Sequence, residues 1–64
     1  MNNVRTVTIE PSESRRGHYC WLTIYRGVLG EYIEYEKTKD YDDPRQAYAA
    51  AVSRQAELMG VSRG

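Results

Sequence analysis

A run of alternating aromatic and aliphatic residues, from His18 to Tyr25, constrains the fold more than any other part of this chain. Successive side chains of a β-strand point to opposite faces of its sheet. One face of such a strand carries Tyr19, Trp21, Thr23 and Tyr25, and the other carries Cys20, Leu22 and Ile24. The sequence therefore predicts a strand from His18 to Arg26 with an aromatic row and an aliphatic row.

Two more strands are predicted on either side of this one. Residues 4–10 and residues 31–38 alternate apolar and polar side chains, which is typical of half-buried strands. Residues 11–17 have the composition of a loop. Gly27 and Gly30 bracket a short hairpin connection with an apolar tip.

A helix is predicted from Arg45 to Met59. Asp43 is a favoured N-cap, Pro44 suits the first helical position, and Gly60 is a natural stop. One apolar stripe comprises Tyr48, Ala51, Val52, Gln55 and Met59, with Ala47 and Leu58 beside it. The predicted fold class is α+β: a three-stranded antiparallel sheet with one C-terminal helix packed on one face, in a single domain of residues 1–64.

A single helix covers one face of such a sheet, so the other face stays open. We assign to the helix the set with almost no charge: Val7, Ile9, Cys20, Leu22, Ile24, Ile33 and Tyr35. The open face then shows Thr6, Thr8, Tyr19, Trp21, Thr23, Tyr25, Tyr32, Glu34 and Glu36. The alternative arrangement buries Trp21 under the helix and exposes Leu22 and Ile24. An exposed aromatic row is typical of a binding surface, although tyrosines also pair across strands simply to cover a sheet.

Charge is balanced over the chain, with nine Lys and Arg against nine Asp and Glu, but residues 31–43 hold six acidic and two basic side chains. A protein that binds duplex DNA usually carries a basic surplus, because phosphate contacts dominate its affinity. Carboxylates two residues apart on a strand repeat at roughly 6–7 Å, which approximates the phosphate spacing of a nucleic-acid strand. The acidic candidates are Glu31, Glu34, Glu36, Asp40 and Asp42. Their alternative roles are to keep an edge strand soluble and to favour the helix N-terminus.

His18 and Cys20 are the classical base and nucleophile candidates, and they lie two residues apart on one strand. Neither has a carboxylate at a recognisable spacing, and the pair lacks the further ligands of a structural zinc site. We therefore predict no enzyme, no metal and no cofactor. The single cysteine, the lack of a long apolar run and the polar start Met1-Asn2-Asn3 predict a cytoplasmic protein with no signal peptide and no membrane segment.

In element order, and in its Ala-rich helix entered through Tyr41-Asp42-Asp43-Pro44, the chain resembles the three-strand-plus-helix DNA-binding module of phage integrase N-terminal domains and plant ethylene-response factors. This resemblance implies that Arg and Trp on the open face read the major groove, where the chain offers Trp21 but mainly Tyr, Thr and Glu. The chain is also similar to small phage-encoded inhibitors, including anti-CRISPR proteins, in its size, its lack of a recognisable catalytic set and its acidic strip. That similarity implies carboxylates that occupy the DNA site of a CRISPR effector.

The leading hypothesis is a non-catalytic protein-binding inhibitor, a phage anti-CRISPR protein that mimics DNA. Its partner would be a protein with a basic nucleic-acid-binding surface, such as a CRISPR effector subunit. The predicted contact residues are Tyr19, Trp21, Tyr25 and Tyr32, and the predicted charges are Glu31, Glu34, Glu36, Asp40 and Asp42. The alternative is a nucleic-acid-binding module that uses the same face with Arg5, Arg15, Arg16 and Arg26. A homodimer is left open.

Overall fold

The computed structural model describes residues 4–60, which form β1 (Val4–Ser14), β2 (Gly17–Arg26), β3 (Tyr32–Lys37) and α1 (Pro44–Leu58). The three strands form one antiparallel sheet with β2 in the centre, and α1 packs on β1 and β2. The predicted α+β class and the β-β-β-α order are confirmed. Within the described residues, no helix is both long and apolar enough to cross a membrane.

The first hairpin is longer than the sequence predicted. Residues 11–14 continue β1 instead of forming a loop, so the turn to β2 contains only Arg15 and Arg16. The prediction was wrong because Pro11 suggests a strand break. β1 is an edge strand, and a proline is tolerated there when its nitrogen points away from the neighbouring strand.

The segment after β3 continues alongside the start of β2. His18 and Tyr41 exchange both of their main-chain hydrogen bonds, each with an N–O distance of 2.7 Å. Gly17 has a φ of +139°, and a Cβ atom at this position would collide with the carbonyl oxygen of Tyr41. Glycine is therefore required where the chain re-enters the sheet. This contact places the start of α1 beside the far end of the hairpin.

The termini of α1 follow the predicted signals. Asp43 is the N-cap, and its Oδ1 accepts a hydrogen bond from the backbone N–H of Arg45 at 2.8 Å. Pro44 occupies the first helical position, and Gly60 follows the helix with a φ of +70°. The main-chain N–H of Gly60 donates to the carbonyl of Glu57 at 3.1 Å, which closes the last turn.

Six of the described residues form the buried core: Val7, Cys20, Leu22, Ile24, Ala47 and Ala51. The core residues from α1 are two alanines, and their small side chains allow the helix backbone to lie close to β2. The aliphatic row of β2 therefore faces α1, as predicted. Trp21 lies on the opposite face and is 39% exposed, so the alternative that buried it beneath the helix is wrong.

The predicted apolar stripe of α1 is partly wrong, because Tyr48, Val52 and Met59 are exposed. Two polar contacts fix the rotation of the helix instead. The Arg54 guanidinium reaches a carboxylate of β3, and the Gln55 amide donates to a main-chain carbonyl of β1 at 2.7 Å. The helix face that meets the sheet therefore consists of small alanines with polar residues beside them. Such a face is harder to recognise in sequence than a stripe of large apolar residues.

The predicted faces of β3 are reversed in the structure. Residues directly opposite each other in an antiparallel pair share a face. Leu22 lies opposite Glu36, and Ile24 lies opposite Glu34, so both carboxylates are on the helix side. Tyr32 shares that side, whereas Ile33 and Tyr35 lie on the open face. The prediction was therefore wrong for these five residues of β3: Tyr32, Ile33, Glu34, Tyr35 and Glu36.

The reversal has a physical reason. Both rows of β3 mix tyrosine with other side chains, and α1 packs over β1 and β2, so burial does not select between the rows. The ion pair does select: Arg54 of α1 and Glu36 of β3 form two hydrogen bonds, with N–O distances of 2.6 and 3.2 Å. This pair requires Glu36 to point to the helix side.

Candidate functional site

The face of the sheet opposite α1 is the candidate functional site, and we call it the open face. Alternate residues of all three strands form it, and no described element packs over it. Its members are Thr6, Thr8, Glu10, Ser12, Tyr19, Trp21, Thr23, Tyr25, Ile33, Tyr35 and Lys37. The middle of this surface is aromatic and aliphatic, whereas its charged groups belong to the two edge strands.

Two of the rings on the open face are held by contact with each other. Tyr19 and Trp21 pack edge to face, with ring centroids 6.2 Å apart and an interplanar angle of 75°. The Lys37 ammonium lies 4.4 Å from the centroid of the Tyr19 ring, which is a cation–π contact. Ile33 is 50% exposed and Tyr35 is 69% exposed. Tyr19 and Trp21 on the central strand are thus held in defined orientations. Ile33 and Tyr35 of β3 expose half or more of their surface to solvent.

A β-bulge shapes one end of the open face. The pairing of β1 with β2 shifts between Val4 and Thr6, which makes Arg5 the extra residue of the bulge. A Cβ atom at Gly30 would contact both Tyr25 and Arg5, so the hairpin connection packs against both side chains. The bulge therefore places the stem of a cation next to the aromatic row.

Two of the predicted acidic residues are paired with arginines of the same chain. Glu36 is bound through both oxygens by Arg54, as described above, and Glu34 accepts a hydrogen bond from Arg26 at 2.8 Å. The hydrogen bonds of Glu36, and secondarily of Glu57, raise the pKa of Arg54 well above its ordinary value. These carboxylates lie on the helix side of β3 and not among the aromatic rings.

The remaining predicted acidic residues are spread over the loops. Glu31 precedes β3 and accepts the backbone N–H of Leu29 at 2.9 Å. Asp40 follows β3, with its carboxylate 3.8 Å from the Lys37 ammonium. Asp42 is exposed just before the helix cap. The structure therefore does not bring the acidic candidates together as one line.

A groove of about 370 Å³ lies between the β1–β2 hairpin and the start of α1, and it includes His18 and Cys20. The imidazole Nδ1 of His18 is 3.7 Å from a carboxylate oxygen of Glu13. Sequence reasoning missed this carboxylate because residue 13 was assigned to a loop. The hairpin register, which pairs Glu13 with His18, is the signal that would have found it.

This groove is poorly suited to nucleophilic catalysis. Cys20 is 1% exposed, and burial raises the pKa of its thiol, so the reactive thiolate is disfavoured at neutral pH. Among residues 4–60, no three His, Cys, Asp or Glu side chains are grouped in a way that could hold a metal ion.

Comparison of the chain with protein-family models, curated proteins and solved structures finds no match. Of the predicted contact residues, Tyr19, Trp21 and Tyr25 lie together on the open face. Sequence reasoning missed Ile33 and Tyr35 there, and the signal that would have found them is the charge match between β3 and the helix.

Proposed function

We propose that the protein is a non-catalytic binding domain that takes a protein partner onto its open face. The observation that carries this proposal is an uncharged area of that face, which runs from β2 to the edge strand β3. Trp21, Ile33 and Tyr35 are exposed there, and no described element packs over them. The cores of protein–protein interfaces are depleted in charge and enriched in Tyr and Trp. Glu10 and Lys37 lie on either side of Trp21, and Arg5 lies near Tyr25 at the other end, so charged groups border this area.

Pre-organisation supports the same proposal. The edge-to-face contact of Tyr19 with Trp21 and the cation–π contact of Lys37 restrict the rings before any partner arrives. Side chains that are already ordered lose less conformational entropy on binding, and this improves affinity for a given contact area. A sheet face with two oriented rings favours a partner with a complementary apolar surface.

The hypothesis of an inhibitor that mimics DNA stays a prediction. A mimic needs free carboxylates on its contact surface, because they must replace phosphates against a basic channel. Glu34 and Glu36 are each bound by an arginine of the same chain and lie on the helix side. Inhibition through the open face is therefore better supported than inhibition through an acidic strip.

Nucleic-acid binding is the second candidate. Arg5, Arg15 and Arg16 form no ion pair with other described residues, so their charges are available to phosphates. Exposed aromatic rings also stack on unpaired bases. Arg26, the fourth predicted cation of this alternative, is engaged by Glu34 at 2.8 Å.

The test compares two aromatic truncations that differ in face. Trp21→Ala removes the largest ring of the open face, and Tyr48→Ala removes an exposed ring on α1. Partners are captured from nuclease-treated bacterial lysate, identified by mass spectrometry and then purified for affinity measurement. We expect Trp21→Ala to weaken binding by at least about tenfold, as truncation of an interface hot spot does, and Tyr48→Ala to leave it unchanged.

Three results would count against this proposal. The first is a partner that binds Trp21→Ala as well as the wild type, provided that the variant is folded by circular dichroism. The second is tight, salt-sensitive binding of the wild type to heparin or to labelled single-stranded DNA, which would favour the nucleic-acid candidate. The third is loss of partner binding in a folded His18→Ala variant, which would move the site to the groove and reopen a catalytic role.

A further inference from the structure

The two edges of the sheet differ in what their backbone offers. The main-chain N–H of Thr38, just after β3, donates to the carbonyl of Cys20 in β2 at 3.0 Å. Because backbone groups alternate in direction along an antiparallel strand, the N–H and C=O groups of Glu36 and Glu34 also point toward β2. The N–H and C=O groups of Ile33, Tyr35 and Lys37 therefore point away from the sheet, along the free edge of β3.

The same alternation directs the backbone groups of Val7, Ile9, Pro11 and Glu13 outward along β1, and this edge is protected. The carbonyl of Val7 is occupied by the Gln55 side chain at 2.7 Å. Pro11 has no N–H to offer to another strand. The bulge at Arg5 disrupts the strand further along. Edge strands that carry a proline, a bulge or a covering side chain resist pairing with other chains.

The edge of β3 has none of these three devices. Its six residues contain no proline and no bulge. The outward backbone groups of Ile33 and Tyr35 have no hydrogen-bond partner among the described residues. Both side chains also lie on the open face, so the free edge is continuous with the proposed binding surface.

We infer that the free edge of β3 accepts an extended segment of the partner protein as a fourth strand. This inference rests on the proposed function and deepens it, since the added strand would continue the open face. Each outward residue offers one donor and one acceptor, and side chains that alternate along the segment would supply specificity.

The charges of β3 select the chemistry of that segment. A neighbouring strand places a side chain opposite each residue of β3 on the same face. The residue opposite Glu34 would be Lys or Arg, and those opposite Ile33 and Tyr35 would be apolar, whereas Glu36 already uses both carboxylate oxygens for Arg54. Glu34 uses one carboxylate oxygen for Arg26, so the other oxygen is available to a second cation.

A second copy of the chain does not meet this requirement. If two β3 strands paired antiparallel with their helices on the same side, the registers of fullest overlap would set Glu34 opposite a glutamate of the other copy. Like charges directly opposite each other destabilise a strand pair. The partner segment is therefore a foreign one that carries a basic residue between apolar ones.

The test uses a capped synthetic peptide of seven residues in which Lys and Val alternate, beginning and ending with Lys. Amide hydrogen exchange of the ¹⁵N-labelled protein is followed by NMR with and without saturating peptide. We expect exchange at Ile33 and Tyr35 to slow by about tenfold or more, because each N–H gains a carbonyl acceptor. Exchange at Ile9 and Glu13, on the protected edge, should not change.

Two substitutions at one position separate backbone from side chain. Tyr35→Pro removes the outward N–H without breaking a β2–β3 hydrogen bond, whereas Tyr35→Ala keeps that N–H. Thermal unfolding verifies that both variants are folded. We expect Tyr35→Pro to bind the peptide at least about fivefold more weakly than Tyr35→Ala, as the loss of one hydrogen bond implies.

The inference is overturned if millimolar peptide leaves exchange at Ile33 and Tyr35 unchanged, or if a peptide of the same composition with its Lys and Val in separate blocks protects them equally. Chemical-shift changes at Trp21 without protection along β3 would also overturn it, while leaving the open face as the binding site. Failure of the proposed function is seen separately, as full binding of the purified partner by Trp21→Ala.

Discussion

The two faces of this sheet are built from the same three strands, yet different forces order their side chains. On the helix side Leu22 is fully buried, and its position is fixed by packing against α1. On the open face Trp21, its neighbour in sequence, is 39% exposed and is oriented by contact with Tyr19. The helix side thus holds the fold together, whereas no described element packs on the open face.

The largest expected effect tests the helix side. Leu22→Ala should destabilise the protein by about 2–5 kcal/mol, because it leaves a cavity in a small core. Thr23→Ala, one residue along and on the open face, should change stability by about 0.5 kcal/mol or less. Urea denaturation measures both. Equal losses would show that a second layer covers the open face, and the comparison of the two faces would fail.

The next effect tests which face of the sheet the β3 side chains occupy. Glu36→Gln breaks the two-bond ion pair with Arg54 and should cost about 1 kcal/mol, the upper end for a partly exposed pair. Glu57→Gln serves as the control, because it removes a single, more exposed contact of the same guanidinium. A double-mutant cycle with Arg54→Gln isolates the coupling. A coupling energy of zero would contradict the assignment of Glu36 to the helix side.

A pH titration tests the start of α1. The hydrogen bond from the Arg45 side chain, followed by that from its backbone N–H, lowers the pKa of Asp43. A carboxyl group with a lowered pKa in the folded state stabilises the fold above its unfolded pKa of about 3.9, and loses that contribution as the pH falls through the folded value. Melting temperatures should therefore drop less under acid for Asp43→Asn than for the wild type. An identical drop would remove this role from Asp43.

The smallest effect concerns the open face itself. Tyr35→Thr removes an exposed ring and should change stability by about 0.5 kcal/mol or less, since one cross-strand contact with Thr23 is lost. Thermal unfolding measures this change. A loss as large as that of Leu22→Ala would place Tyr35 in the core and restore the face assignment that the sequence predicted.

β2 could be predicted from the sequence because its two rows differ in chemistry. Cys20, Leu22 and Ile24 form an aliphatic row, and tyrosine and tryptophan form the other, so burial selects one side. The helix was predicted for a similar reason, since Asp43 and Pro44 are strong local signals. Local chemistry was sufficient wherever it was one-sided.

β3 could not be predicted correctly because each of its faces contains tyrosine, and burial beneath α1 does not decide between them. The face that each β3 side chain occupies follows from the pair of Arg54 with Glu36, which are 18 residues apart in sequence. The candidate site was predicted in part for the same reason. Its β2 members were found, whereas Ile33 and Tyr35 depended on a long-range contact.

The position of α1 after the strands has a consequence for synthesis. A ribosome releases the whole of β1 and β2 before residues 44–58 emerge, so Leu22 and Ile24 have no cover during that interval. Exposed apolar strands with free edges are the species that aggregate or recruit chaperones. Docking of α1 ends this exposure.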